Sequence, residues 1–243
     1  MIPKTIHYCW FGHSPLPSLA QKCIASWKKF LPEYEIKEWN EDNFDVNIIP
    51  YTKEAYSAQK YAFVSDYARF WILYKYGGLY FDTDVEVIRP LDDIIERGAF
   101  MGCESDAVGK ELTTGANPGL GLGCAPGLGL YKKMLDYYAQ LHFDPDNITE
   151  TIVGHTTKVL RSLGLQDTNE IQKVADVYIY PSEYFNPTNI VTHRLHITDN
   201  TRTIHWYAGT WMNKKESVLI RVLRPFMPEK FLMWYNRKKH FQR

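Results

Sequence analysis

Two aspartates carry the chemistry that this sequence announces first. In Gly77-Gly78-Leu79-Tyr80-Phe81-Asp82-Thr83-Asp84-Val85-Glu86-Val87-Ile88, alternation predicts a strand over 79–88 with Tyr80, Asp82, Asp84 and Glu86 on one side. Carboxylates at i and i+2 repel each other unless a cation lies between them. A hard divalent cation such as Mg²⁺ or Mn²⁺, bound through oxygen, neutralises the pair and in turn grips a diphosphate. The competing structural reading is an exposed strand edge blunted with charge. A bare Asp-x-Asp is a weak pattern, so its weight depends on the segment in front of it.

That segment, 56–76, predicts one long helix that is apolar on nearly all sides, with Ala58, Ala62, Phe63, Val64, Ala68, Phe70, Trp71, Ile72 and Leu73. A helix of that kind is normally buried. Asp66 and Arg69 lie three apart within it and so share a face. Buried charges are costly unless paired or put to use. Either the two tie the core together as an intrahelical ion pair, or they look into a polar cavity.

The elements that must position these groups begin at the amino end. Thr5 to Trp10 predicts a strand ending in a Phe11-Gly12 turn, Ser18 to Phe30 a helix stopped by Pro32, and Tyr34 to Trp39 a second strand. Strand, helix, strand opens an α/β fold, whose strand ends usually bind ligands. The glycine-rich stretch from Gly115 to Tyr131 matches neither a P-loop nor a dinucleotide fingerprint. It is either a conformationally demanding loop or a wall of the ligand pocket. Helices over 130–141 and 154–163 and a strand at Val177–Pro181 follow. Thr203 to Trp211 contains His205 among aromatics, whereas His7, His13, His142 and His196 read as structural. Lys230 to Arg243 is basic and aromatic, suited either to an anionic membrane surface or to an ordinary solvated helix.

Composition excludes more than it assigns. The 243 residues balance 28 basic against 28 acidic side chains, which argues against a nucleic-acid binder with its concentrated positive field. No run approaches 18 apolar residues, so no membrane span is expected. Cys9, Cys23, Cys103 and Cys124 lack metal-ligand spacing and read as buried thiols in a reducing compartment.

Ile2-Pro3-Lys4-Thr5-Ile6-His7-Tyr8-Cys9-Trp10-Phe11-Gly12, Ser65-Asp66-Tyr67-Ala68-Arg69 and Gly77-Gly78-Leu79-Tyr80-Phe81-Asp82-Thr83-Asp84 together closely resemble the DXD-containing glycosyltransferases of family 32. That family includes capsular and surface-polysaccharide transferases and yeast outer-chain mannosyltransferases, with clostridial toxin glucosyltransferases as distant relatives. The resemblance runs to about Trp211. It implies an α/β GT-A fold, a single nucleotide-sugar-binding domain over 1–243 with a mixed central sheet flanked by helices. The segment 229–243 would be its basic aromatic carboxy-terminal extension. It also implies retention at the anomeric carbon, with Mn²⁺ or Mg²⁺ and a nucleotide-sugar, UDP-sugar favoured, as cofactor and donor. The acceptor would be a glycan or lipid-linked saccharide in polysaccharide biosynthesis, at a cytoplasmic site or the cytoplasmic face of a membrane.

Carried over by position, the resemblance makes Trp10 the stacking partner of the donor's base, which its place at a strand end permits. Asp66 and Arg69 become the pair that holds the sugar and the phosphate side, and Tyr80 a donor-pocket aromatic. Asp82 becomes the residue reaching the ribose and the metal's water shell, Asp84 a direct metal ligand, and His205 the residue that completes the metal site. The chain departs from the family pattern at Glu104-Ser105, Gly154-His155 and Thr210-Trp211, where sugar or acceptor would be read. Glu104 and Asp106 have no assigned task. A nucleotide-sugar hydrolase and a non-catalytic nucleotide-sugar or glycan-binding module are the competing classes.

Overall fold

The computed structural model describes residues 1–106, 113–148, 150–189 and 194–208. In chain order the elements are β1 (Thr5–Cys9), α1 (Ser18–Phe30), β2 (Glu35–Trp39), α2 (Pro50–Ser57), α3 (Tyr61–Tyr76), β3 (Gly78–Tyr80), β4 (Val85–Val87) and α4 (Asp92–Arg97). They continue with β5 (Phe100–Ser105), β6 (Gly115–Ala116), β7 (Leu122–Cys124), α5 (Gly129–Tyr138), α6 (Ile152–Ser162), β8 (Gln172–Val174), β9 (Val177–Tyr180), α7 (Ser182–Phe185) and β10 (Thr203–His205). The expected extension 229–243 and Thr210-Trp211 lie outside the described residues.

The main sheet runs β2-β1-β3-β7-β5-β9-β8, with β6 paired to β5. β2, β1 and β3 are parallel, as are β5 and β9, while β7 and β8 run antiparallel to their neighbours. This is the mixed central sheet of an α/β fold. Alternation along β1 sends Ile6 and Tyr8 to one face and His7 and Cys9 to the other. On the first face Ile6, Leu79, Phe81 and Phe100 pack with Trp27 of α1 and with Phe185. On the second, Cys9, Trp39, Tyr80 and Leu122 pack with α3 and with Tyr131 and Tyr138 of α5. Each aromatic of this size removes roughly 150–250 Å² from water, a gross contribution of about 4–6 kcal/mol before conformational entropy is subtracted.

His7 is buried between the strands and fixed as one neutral tautomer. Trp39 Nε1 donates to its Nδ1 at 3.0 Å, so its Nε2 carries the proton and meets the Gly77 carbonyl at 3.0 Å. Burial pushes its pKa down to about 4. The chain can approach that closely because Gly78, at φ 98°, has no Cβ; one would lie 2.6 Å from the Thr5 carbonyl oxygen. All four cysteines are free and buried. Among the described residues no helix is long and apolar enough to cross a membrane.

Two sequence expectations are corrected. The helix expected over 56–76 is two helices, broken at 58–60. Lys60 N donates to Ala55 O and Gln59 N to Tyr56 O, each at 2.9 Å, and Gln59 adopts φ 57°. These bonds form a Schellman closure of α2, with glutamine at the left-handed position that usually holds glycine. The strand expected over 79–88 is also interrupted. Val85 N donates to Asp82 O at 3.0 Å, which turns the chain between β3 and β4, and β4 leaves the main sheet to pair antiparallel with β10. Asp82 and Asp84 therefore sit at a turn, and strand alternation does not set their directions.

Candidate functional site

β1 and β3 are parallel neighbours, so their carboxyl ends deliver Trp10 and Asp82 to the same edge of the sheet. A cavity of about 550 Å³ opens there, within the range of small-molecule sites. Its walls come from Trp10 and Phe11 after β1, Lys60 before α3, the face of α3 that bears Asp66 and Arg69, the Asp82–Asp84 turn, Glu104, Asn117, the start of α6, and His205, Tyr207 and Ala208.

Arg69 organises the floor. Its Nε donates to the Ser65 carbonyl at 3.0 Å, one Nη to Asp66 Oδ1 at 3.0 Å and the other to Asp82 Oδ2 at 3.3 Å. The ion pair with Asp66 and the cavity-facing position are thus both realised. Burial pushes the Asp66 carboxyl up to about 7 even though the Arg69 charge pulls the other way. Burial also works against the Arg69 charge, but Asp82, Tyr80 and Asp66 more than offset it and hold the guanidinium protonated. Tyr80 is only 1% exposed and does not line the cavity. Its hydroxyl donates to Asp82 Oδ1 at 3.0 Å and its ring lies 5.0 Å from the Arg69 cation, so it positions Asp82 from behind.

Asp84 belongs to a different cluster. Its backbone carbonyl accepts from Trp206 N at 3.0 Å, its Oδ2 accepts from Ala208 N at 2.8 Å, and its Oδ1 faces His205 Nε2 at 3.4 Å. Burial pushes its carboxyl up, but His205 and the Ala208 N–H outweigh that and leave it below the usual carboxylate range. The β4–β10 pairing sets His205 opposite Val85, which brings the histidine beside Asp84 from far along the chain.

The donor set fits a hard divalent cation. Adjacent ligand atoms of an octahedral ion stand about 3 Å apart, close to the spacing of Asp84 Oδ1 and His205 Nε2. Among the described residues, buried His205 Nδ1 has no hydrogen-bond partner, an orphaned polar atom in a ring otherwise directed at a carboxylate. Asp82 borders the same cavity. Among the described residues, no group of three His, Cys, Asp or Glu stands ready-made as a cation cage, so other ligands would have to come from the bound substrate or from water.

Other residues of the site had little sequence signal. Glu104 lines the cavity and accepts from Asn117 Nδ2 at 2.8 Å, and Asn117 Oδ1 accepts from Gly119 N at 2.7 Å. Asp106 instead caps α7, accepting from Ser182 N at 2.8 Å and Ser182 Oγ at 2.7 Å, outside the cavity lining. Gly119, within the glycine-rich stretch, lies against Asp82. Its carbonyl accepts from Asp82 N at 2.9 Å, and a Cβ there would lie 2.0 Å from Asp82 Oδ2. Gln59, Lys60 and Tyr61 also line the cavity, where the expected continuous helix offered no corner to put them.

Residues 17–101 match the family described as glycosyltransferase sugar-binding region containing DXD motif, a span that includes Asp66, Arg69, Asp82 and Asp84 but neither Trp10 nor His205. An uncharacterized glycosyltransferase of Acanthamoeba polyphaga mimivirus is 28% identical over 201 residues, which is 78% of this chain and 77% of that protein. Inositol phosphoceramide mannosyltransferase 3 of Schizosaccharomyces pombe is 31% identical over 107 residues, covering 41% of this chain and only 29% of its own length. Among solved structures, PaToxG glycosyltransferase superposes with a TM-score of 0.49 at 16% identity, over 66% of this chain and 69% of that one. With the DXD match falling on the aspartates and arginine at the floor of this cavity, the chain is a glycosyltransferase that transfers a sugar from a nucleotide-sugar donor.

Proposed function

We propose that the chain is a retaining, divalent-metal-dependent hexosyltransferase of the family 32 kind. Its donor would be a nucleotide-sugar, UDP-sugar favoured, and its acceptor a glycan or lipid-linked saccharide in polysaccharide biosynthesis. The observation that carries this reading is convergence. The Asp66–Arg69–Asp82 chain and the Asp84–His205 pair open onto one cavity at the carboxyl ends of β1 and β3. The yeast relative is named for mannosyl transfer to a lipid, which keeps a lipid-linked acceptor, and contact of 230–243 with a membrane surface, within the proposal.

Each role follows from what the side chain can do where it stands. Asp82, Asp84 and His205 would hold Mn²⁺ or Mg²⁺, which when bound supplies positive charge against the donor's diphosphate. Arg69 is fixed by three contacts before any ligand arrives, so its charge needs no reorganisation as negative charge grows on the leaving oxygen. Asp66, beside it, offers oxygen to the hydroxyls of the sugar. Trp10 is half-buried on the cavity wall, its Nε1 tied to the Ser14 carbonyl at 2.6 Å, which orients the ring for stacking on a base. Tyr80 supports Asp82 through its hydroxyl. Glu104 is left as the cavity carboxylate closest in kind to a general base, and retention requires no such base.

A donor screen with Mn²⁺ tests the reading, with released nucleoside diphosphate measured for UDP-Glc, UDP-Gal, UDP-GlcNAc, UDP-GalNAc and GDP-Man. Acceptor-dependent release abolished by chelator is expected. Equal release without acceptor would make the chain a hydrolase, and donor binding without release would make it a binding module.

A further inference from the structure

A histidine that binds a metal has to be held in one orientation, because its terminal torsion is broad and the ring can swing its nitrogen off the ion. A hydrogen bond from the other ring nitrogen usually does this. Among the described residues His205 Nδ1 has no such bond, although Nε2 faces Asp84 Oδ1 at 3.4 Å. The imidazole is held by a ring instead. Tyr207 packs on it with centroids 4.1 Å apart, and both side chains line the cavity.

Tyr207 is itself fixed at both ends. Its backbone takes φ 49°, a left-handed conformation that disfavours a bulky side chain. Strain of this kind persists where the surrounding structure over-determines it, and it clusters at functional sites. The strap around this turn wraps Asp84 twice, Trp206 N donating to its backbone carbonyl at 3.0 Å and Ala208 N to its Oδ2 at 2.8 Å. At the far end of the side chain, the Tyr207 hydroxyl accepts from Asn186 Nδ2 at 2.6 Å. Asn186 is 2% exposed, and the same Nδ2 donates to the Glu104 carbonyl at 3.0 Å. A carbonyl can only accept, so the amide cannot turn over without losing that bond.

The brace matters because the groups it relates sit on two sheets. Asp82 follows β3 of the main sheet, whereas His205 ends β10, which pairs with β4 in a separate two-stranded sheet. Thr203 Oγ1 donates to the Phe185 carbonyl at 2.8 Å and ties the start of β10 to α7. Through Asn186 and the Glu104 carbonyl, Tyr207 ties the other end to β5 of the main sheet. We propose that Tyr207 is a positioning residue for the metal site, braced by Asn186 so that its ring holds His205 Nε2 toward the cation. This inference rests on the reading of His205 as a metal ligand.

Calorimetry of UDP binding to the full chain, at fixed Mn²⁺ and again in EDTA, gives the metal's contribution as the ratio of the two Kd values. His205→Ala should cut that ratio about tenfold, and Tyr207→Ala about as much, with the Kd in EDTA unchanged. Tyr207→Gly suits the left-handed backbone but lacks the ring, and it should lose as much as alanine. Tyr207→Phe keeps the ring without the bond to Asn186 and should lose about threefold, a result that stands even if the smaller side chains fail to fold. The double variant His205→Ala/Tyr207→Ala should lose no more than His205→Ala alone, since the tyrosine acts through the histidine. A wild-type ratio in any of the three Tyr207 variants overturns the proposal. So do additive losses in the double variant, or a loss that is equally large in EDTA. A wild type that binds UDP equally with Mn²⁺ and EDTA, or a wild-type ratio in His205→Ala, sinks the metal reading first and the proposal with it.

Discussion

Gly119→Ala should separate activity from stability. A Cβ at this position lies 2.0 Å from Asp82 Oδ2 and 3.1 Å from an Arg69 Nη. Ordinary contact begins near 3.4 Å, so the carboxylate oxygen must retreat by about 1.4 Å. That breaks its 3.3 Å contact with Arg69 and strains the 3.0 Å bond from Tyr80. The backbone of Gly119 is not in the left-handed region, so alanine is accepted there and the methyl group alone is under test. Asp82 keeps 30% of its side chain exposed and can swing toward water. The folded state should therefore lose only about 1 kcal/mol, or a Tm decrease of about 2–4 °C for a chain of this size. Catalysis has no such escape, because a misplacement of about 1 Å in a positioning group can lower the rate about 100-fold. The measurements are kcat/KM from nucleoside diphosphate release and Tm from thermal unfolding. A variant with wild-type kcat/KM, or one whose activity falls only with its folded fraction, would refute the role assigned to this contact.

Asp84→Asn should remove most activity, since a neutral amide is a poor ligand for a hard cation; unchanged Mn²⁺-dependent donor binding by calorimetry would sink that assignment. Trp10→Ala should weaken nucleoside diphosphate binding by roughly 1–3 kcal/mol, and a core role would instead lower Tm while the folded fraction bound normally. His7 has a folded pKa of about 4 against an ordinary 6.5, so its contribution, about 3 kcal/mol, is complete above pH 6.5 and is lost as pH falls toward 4. In denaturant titrations His7→Gln should be markedly less stable than wild type at pH 7.5, and the gap should narrow by pH 4.5; a pH-independent gap would show that protonation plays no part. An α-linked donor should give an α-linked product by NMR of the anomeric centre. A β-linked product would overturn retention and make Glu104, now that Asp106 is committed to Ser182, the base to mutate first.

What the sequence showed and what it hid divide along physical lines. Helix α1 was legible to the residue because its apolar face repeats at helical spacing and Pro32 lies just past its end. The α2–α3 break was not, because a Schellman closure is normally signalled by glycine and here carries Gln59. The continuous strand through the aspartates failed for the opposite reason. Tyr80, Asp82, Asp84 and Glu86 fit a period of two, but the turn bond from Val85 N to Asp82 O is a backbone event with no residue type to mark it. Asp66 and Arg69 were readable as a pair from their spacing alone. His205 had no local signal and reached its position beside Asp84 only through resemblance, since its partner strand lies far away in sequence. Glu104 and Asp106 looked alike as a sequence, and only the packing of α7 told them apart.

The strap from β10 to Ala208 also fixes when the site can exist. Ala208 N and Asp84 Oδ2 are joined across 124 residues of chain. A ribosome adding 5–20 residues per second needs roughly 6–25 s to cover that span. During this interval the aspartate turn, α3 and the parallel strands β1, β2 and β3 have all been synthesised, while the histidine that faces Asp84 has not. The nascent protein therefore passes through a stage in which the aspartate turn has been made without the histidine that faces it, and the site cannot assemble until synthesis has passed Ala208.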